Sequence, residues 1–190
     1  RFPEPHRFVK MAQLVGVPVI GDMELFARAV ADLKEFERPR IVGITGTNGK
    51  STTTALIGHI LKQCGKDVRV GGNIGVGVLD LDKLHGGAIY VLELSSYQLD
   101  LAETLRCDVA VMLNLSPDHL TRHGGMDGYV QAKRRIFRNQ TPHDWAIVGV
   151  DDTRSQVMAT QLTAEGLRKV ITISAEYGLG RGVSVLEGAL

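Results

Sequence analysis

Cysteine is scarce in this 190-residue chain: Cys64 and Cys107 stand far apart and form no Cys-x-x-Cys pair. That excludes a thiolate metal cage or a dithiol redox centre of the usual spacing. Excess charge of one sign is also missing, since 22 Lys and Arg face 21 Asp and Glu, a formal net charge of +1. No nucleic-acid or membrane-surface footprint is expected from such a balance. No apolar run approaches the roughly 20 residues that span a bilayer. The opening Arg1-Phe2-Pro3-Glu4-Pro5-His6 is not followed by the apolar core of a signal peptide. Internal repeats and low-complexity tracts are absent. With 44% hydrophobic and 23% charged residues, the composition is that of an ordinary globular protein, long enough for one domain and part of a second. A start without Met and an end in an apolar run, Gly182-Val183-Ser184-Val185-Leu186, read as a piece of a longer chain. Both cysteines are expected as buried thiols, packing as small hydrophobes in a reducing cytoplasm.

What is present is alternation. Short runs that are apolar throughout recur at 41–44, 88–92, 109–113, 146–150 and 170–173, as in strands buried on both faces of a parallel sheet. A further strand is expected at 67–70. Between them, 50–64 carries Leu56, Ile57, Ile60 and Leu61 at helical spacing and closes on Gly65. Helices are also expected at 127–138 and, more weakly patterned, at 152–165. This order predicts an open, mostly parallel α/β sheet flanked by helices, with ligands beyond the carboxyl ends of the strands. Upstream, helices at 6–15 and 22–34 bracket a short strand, Val17-Pro18-Val19-Ile20, and Glu35-Phe36-Glu37-Arg38-Pro39-Arg40 reads as an interdomain linker.

The first strand runs into Gly46-Thr47-Asn48-Gly49-Lys50-Ser51-Thr52 and then into a helix. Glycines let backbone N–H groups turn around an anion, and the helix start adds partial positive charge. Lys50 would meet the β/γ-phosphates of a nucleotide, and Ser51 or Thr52 would offer a hydroxyl to Mg²⁺. The general pattern G-x-x-x-x-G-K-[ST] wants glycine at position 44, where this chain has Ile44, so the loop is a variant. The bland alternative is a glycine-rich turn beside a solvated lysine.

Other polar residues follow strand ends. Glu93 closes the 88–92 strand and suits hard Mg²⁺, although a glutamate there is also a common solvated residue. His119, in Asn114-Leu115-Ser116-Pro117-Asp118-His119-Leu120, reads either as a metal or anion ligand or as the neighbour of a turn-capping Asp118. Lys133 belongs by composition to a solvated basic helix face. In Gly71-Gly72-Asn73-Ile74-Gly75, Asn73 can support the turn or reach a ligand.

Four segments together, 46–52, 71–75, 92–99 (Leu-Glu-Leu-Ser-Ser-Tyr-Gln-Leu) and 114–120, with Ala132-Lys133 after them, resemble the central ATPase domain of the Mur ligases. These are the amide-forming enzymes of peptidoglycan precursor synthesis. The glutamate-bearing segment and the turn ahead of it are similar to the branch that adds D-glutamate to UDP-N-acetylmuramoyl-L-alanine. Pro3-Glu4-Pro5-His6 and residues 19–26 also resemble the end of that branch's UDP-binding domain.

The resemblance implies residues 1–37 as the end of a Rossmann-like N-terminal domain with its linker, and 38–190 as an incomplete ATP-binding domain. It implies a cytoplasmic, monomeric, ADP-forming ligase acting through an acyl phosphate, inactive as this piece alone. ATP would sit on Gly46, Thr47, Asn48, Gly49, Lys50, Ser51 and Thr52, and a first Mg²⁺ on Ser51, Thr52 and Glu93. A second Mg²⁺ would take His119 and a Lys133 carbamylated by CO₂, which reverses the composition-based reading of that lysine. Lys50, His119 and Lys133 would be catalytic, and Asn73, Ser95 and Gln98 would lie near the muramoyl-alanine substrate. One position departs from the family: Thr121 stands where an aspartate is usual, leaving His119 a weaker, neutral partner there. Competing expectations are another Mur ligase, a folylpolyglutamate synthase, or a P-loop switch module without ligase chemistry.

Overall fold

The computed structural model describes residues 6–185. Seven strands form one sheet in the order β2-β3-β1-β4-β5-β6-β7. They are β1 (Arg40–Thr45), β2 (Asp67–Gly72), β3 (Ala88–Glu93), β4 (Val109–Met112), β5 (Trp145–Gly149), β6 (Lys169–Ser174) and β7 (Val183–Ser184). Every neighbouring pair is parallel, with Gly43 of β1 opposite Leu92 of β3 on one side and Ala110 of β4 on the other. After β1 the chain crosses to the sheet edge at β2, returns to lay β3 between β2 and β1, then passes to the other side of β1 and builds β4 to β7 outward. The loop after β1 therefore lies where the winding reverses, the position at which open α/β sheets bind ligands.

The helices are α1 (Arg7–Leu14), which buries no side chain, and α2 (Asp22–Ala31), α3 (Lys50–Gln63), α4 (Ser96–Asp100), α5 (Leu120–His123), α6 (Met126–Arg134) and α7 (Thr153–Glu165), which between them flank both faces of the sheet. One face carries the larger core, in which Met23, Phe26 and Ala27 of α2 meet Tyr90 and Leu92, joined by Tyr129, Ile136, Phe137 and Met158. Each large apolar side chain among them, such as Met23 or Phe26, contributes about 1.5–3 kcal/mol of burial. The opposite face is thinner: Ile44, Val91 and Val111 pack under Ile57 and Leu61 of α3. Asp152 caps α7, accepting from the Ser155 amide at 2.8 Å, and its other oxygen accepts from the Leu115 amide at 2.9 Å. One aspartate thus starts a helix and fixes the segment after β4.

Two expectations need correction. Residues 17–20 form no strand; Pro18 has no N–H to give a ladder, and the segment has no strand neighbour among the described residues. Cys107 is buried as expected, but Cys64, which follows the last residue of α3, is exposed. The helix expected at 22–34 stops at Ala31, and the one expected at 127–138 tightens after Arg134 into a 3₁₀ turn, Arg135–Phe137. Residues 3–5 of the resemblance lie outside the described residues.

Candidate functional site

The carboxyl ends of β1, β3 and β4 meet around the glycine loop. Gly46 takes φ 154°, and a Cβ there would come within 2.9 Å of Leu113 Cβ; Gly49 takes φ 80° and begins α3 without any side-chain cap. The first amides of α3 are thus left for an outside acceptor, as in anion-binding helix starts. Asn114 holds the loop from β4: its Oδ1 accepts from the Asn48 amide at 2.9 Å, its Nδ2 donates to the Asn48 carbonyl at 3.1 Å, and its own carbonyl accepts from the Thr47 amide at 3.0 Å. Thr47 Oγ1 donates to the Ser116 carbonyl at 3.1 Å and lies 3.1 Å from the Tyr129 hydroxyl. Lys50 Nζ folds back onto the Thr47 carbonyl at 2.8 Å.

Glu93 is buried, 3% exposed, at the end of β3. Ser51 Oγ donates to one of its oxygens at 2.7 Å, and Asn73 Nδ2 to the other at 3.0 Å. The loop, the β2 turn and the β3 end therefore meet on one carboxylate. Among the described residues no group of three or more His, Cys, Asp or Glu gathers as a metal cage. Mg²⁺ is commonly held by one or two carboxylates with phosphate oxygens and water. Ser51 and Glu93 supply hard oxygen donors of that kind.

Lys133 is 2% exposed. Its Nζ donates to the Gly46 carbonyl at 2.7 Å and to Thr45 Oγ1 at 3.2 Å, and stands 4.9 Å from the Tyr129 ring centre. Burial chiefly, then the charge of Lys50, brings its ammonium down to about 7, against the opposing pull of Asp118 and Glu93. A substantial fraction is then a neutral amine at neutral pH, the form that can add CO₂.

The other predicted residues are placed differently. His119 holds a left-handed backbone, φ 51°, at the start of α5, with Nε2 3.3 Å from Asp118 and its ring edge-on to Tyr97. Asp118 thus supplies the acidic neighbour that Thr121 does not. Ser95 and Gln98 form a reciprocal capping box at α4, and Gln98 Nε2 reaches Asp22 at 3.4 Å. Thr52 lies exposed on the first turn of α3, three residues after Gly49. Asn114 and Tyr129, both in contact with the loop, were missed as site residues; the only sequence signals were an asparagine at a strand end and a tyrosine four residues before Lys133. A cavity of about 620 Å³ lined by Arg40, Arg106, Val109 and Trp145 opens at the opposite, amino ends of the strands, and it carries none of these groups.

Comparisons with known proteins bear on the family and the fold. The family description "Mur ligase middle domain" matches residues 44–181. A UDP-N-acetylmuramoylalanine–D-glutamate ligase of Caulobacter sp. (strain K31) is 60% identical over 188 residues, 99% of this chain and 40% of the relative. The enzyme of the same name from Phenylobacterium zucineum (strain HLK1) is 58% identical over the same shares. A solved UDP-N-acetylmuramoyl-L-alanyl-D-glutamate–2,6-diaminopimelate ligase superposes with a TM-score of 0.63 at 28% identity, over 82% of this chain and 36% of its own. The chain spans about 40% of the length of the curated relatives it matches.

Proposed function

The chain belongs to the Mur ligase family, and from that premise we propose that it is the ATP-binding, carboxylate-activating part of a ligase that adds D-glutamate to UDP-N-acetylmuramoyl-L-alanine. The observation that carries the reading is the 2.7 Å bond from Ser51 of the loop to buried Glu93, with Lys133 against the same loop at Gly46. In this proposal the loop amides from Gly46 to Thr52 cradle the phosphates. Lys50 exchanges the Thr47 carbonyl for the β/γ-phosphates and offsets charge as the substrate carboxylate attacks the γ-phosphorus in line. The resulting acyl phosphate is then attacked by the amine of D-glutamate, and phosphate departs.

Ser51, Thr52 and Glu93 would hold one Mg²⁺, and His119 with carbamylated Lys133 a second. When bound, these ions would neutralise phosphate charge beside the reacting oxygens. Asn114 and Tyr129 keep the loop in place throughout. Asn73, Ser95 and Gln98 line the approach to the muramoyl-alanine substrate, a role compatible with the capping bonds of the last two. The remaining domains would supply most of the uridine and D-glutamate contacts, with a boundary near residue 38, although α2 before it packs into the core of this domain. A cytoplasmic location and a monomeric state complete the proposal; no helix among the described residues is long and apolar enough to cross a membrane.

The test is ATP-dependent phosphate release by the intact protein with UDP-N-acetylmuramoyl-L-alanine and a panel of amino acids. D-Glutamate is expected to drive release, and L-alanine, diamino acids and dipeptides to fail. Release driven equally by a diamino acid would move the chain to another branch, and nucleotide binding with no amino-acid-dependent turnover would make it a switch module.

A further inference from the structure

A groove of about 270 Å³ lies on the outer side of α6, away from the phosphate loop and sharing no residue with it. Its walls carry Arg134, Arg135, Arg138 and Arg168, with Phe137 and Leu167 as apolar patches and Glu165 as its acidic member. The arginines outnumber their acidic partners. Arg134 and Arg168 share Glu165, and Arg135 and Arg138 share Glu103. Four guanidinium groups thus divide two carboxylates.

Arg168 is the unusual member. Its side chain is 4% exposed, its Nη1 lies 3.2 Å from Glu165, and its Nε is buried with no hydrogen-bond partner. A buried, unpaired donor on a charged group costs more than an ordinary lost hydrogen bond. Burial and the neighbouring charge of Arg134 both press its pKa downward, against the pull of Glu165. An acceptor bearing negative charge in the groove relieves the repulsion between the guanidiniums of Arg134 and Arg168, which share one carboxylate. Planar guanidinium forks match tetrahedral oxyanions through paired N–H···O bonds. The volume admits a phosphate group or a small phosphate monoester.

We propose that this groove is a second oxyanion site, taking phosphate-type dianions through Arg168 and Arg134, independent of the nucleotide loop. Arg134 follows Lys133 directly on α6, so an occupied groove would brace the helix that carries the buried lysine.

The test is calorimetric titration of the intact protein with inorganic phosphate, at constant ionic strength made up with sodium chloride. A Lys50→Ala background removes the cation of the nucleotide loop and is expected to retain one phosphate site. Adding Arg168→Gln or Arg134→Gln is expected to weaken that site about tenfold or more, with unchanged circular dichroism. Should Arg168→Gln fail to fold, Arg134→Gln, which is partly exposed, decides the matter alone. Loss of all phosphate uptake in Lys50→Ala, an affinity indifferent to both arginine changes, or acetate bound as tightly as phosphate would each overturn the assignment. If instead Lys50→Ala leaves phosphate stoichiometry unaltered while the arginine changes abolish it, the groove stands and the phosphate-loop reading falls.

Discussion

Glu24 and Glu93 are both buried carboxylates, and the protein treats them in opposite ways. Glu24, on α2, is fully buried and accepts four hydrogen bonds, from Arg28 Nε, the Glu103 and Thr104 amides and Thr104 Oγ1, all at 2.7–2.8 Å. Those bonds bring its pKa down to about 2, although burial, the largest single influence, acts the other way. Glu93, 3% exposed, accepts two, from Ser51 and Asn73. An ionised carboxylate has about four acceptor sites, so Glu24 is saturated by the fold while Glu93 keeps capacity beside the glycine loop. Lys133 extends the contrast: it too is buried, yet its hydrogen-bond partners are the neutral Gly46 carbonyl and Thr45 hydroxyl. Saturated buried charge holds structure together; unsaturated buried charge is available for chemistry.

The contrast breaks most visibly in turnover. Lys133→Ala in the intact enzyme is expected to lower D-glutamate-dependent phosphate release by roughly a hundredfold to a thousandfold, with added small carboxylates restoring part of it. Full activity would make Lys133 a packing residue only. The same lysine should also show in stability. Its folded pKa, about 7, lies below its usual 10.5, so the unfolded chain binds more protons between those values and stability rises with pH across that window. In CO₂-depleted buffer, Lys133→Met is expected to be more stable than wild type below pH 7 by about 5 kcal/mol, with the gap closing toward pH 10.5. Urea unfolding at several pH values checks this, and a pH-independent gap would contradict it.

Glu24→Gln is expected to cost about 2–3 kcal/mol of stability at pH 7 while leaving turnover per folded molecule unchanged. Because the folded pKa of Glu24 is depressed to about 2 from 4.5, the cost should be full above pH 4.5 and fade as pH falls toward 2. A Glu24→Gln enzyme that folds normally but loses turnover would erase the distinction between the two carboxylates.

Much of this was legible in the chain itself. Strand, glycine loop and helix were legible because each uses a local rule, and Ile44 marked the loop as a variant of the general pattern. The apolar runs announced a parallel sheet because strands covered on both faces lose alternation. Lys133 was not legible from its own helix, where a basic face is ordinarily solvated; only the fold brings the Gly46 carbonyl and the Tyr129 ring against it. Asn114 reads both polar groups of Asn48, 66 positions away in sequence, a contact no local pattern encodes. Val17 to Ile20 failed as a strand because β-branched residues suit a ladder without supplying its partner.

The most direct test of the central contrast is a Mg²⁺ titration of the intact protein in the presence of ADP, comparing wild type with Glu93→Gln and Glu24→Gln. Glu93→Gln should weaken Mg²⁺ binding by at least about tenfold and Glu24→Gln should leave it unchanged; wild-type Mg²⁺ affinity in Glu93→Gln would contradict the account.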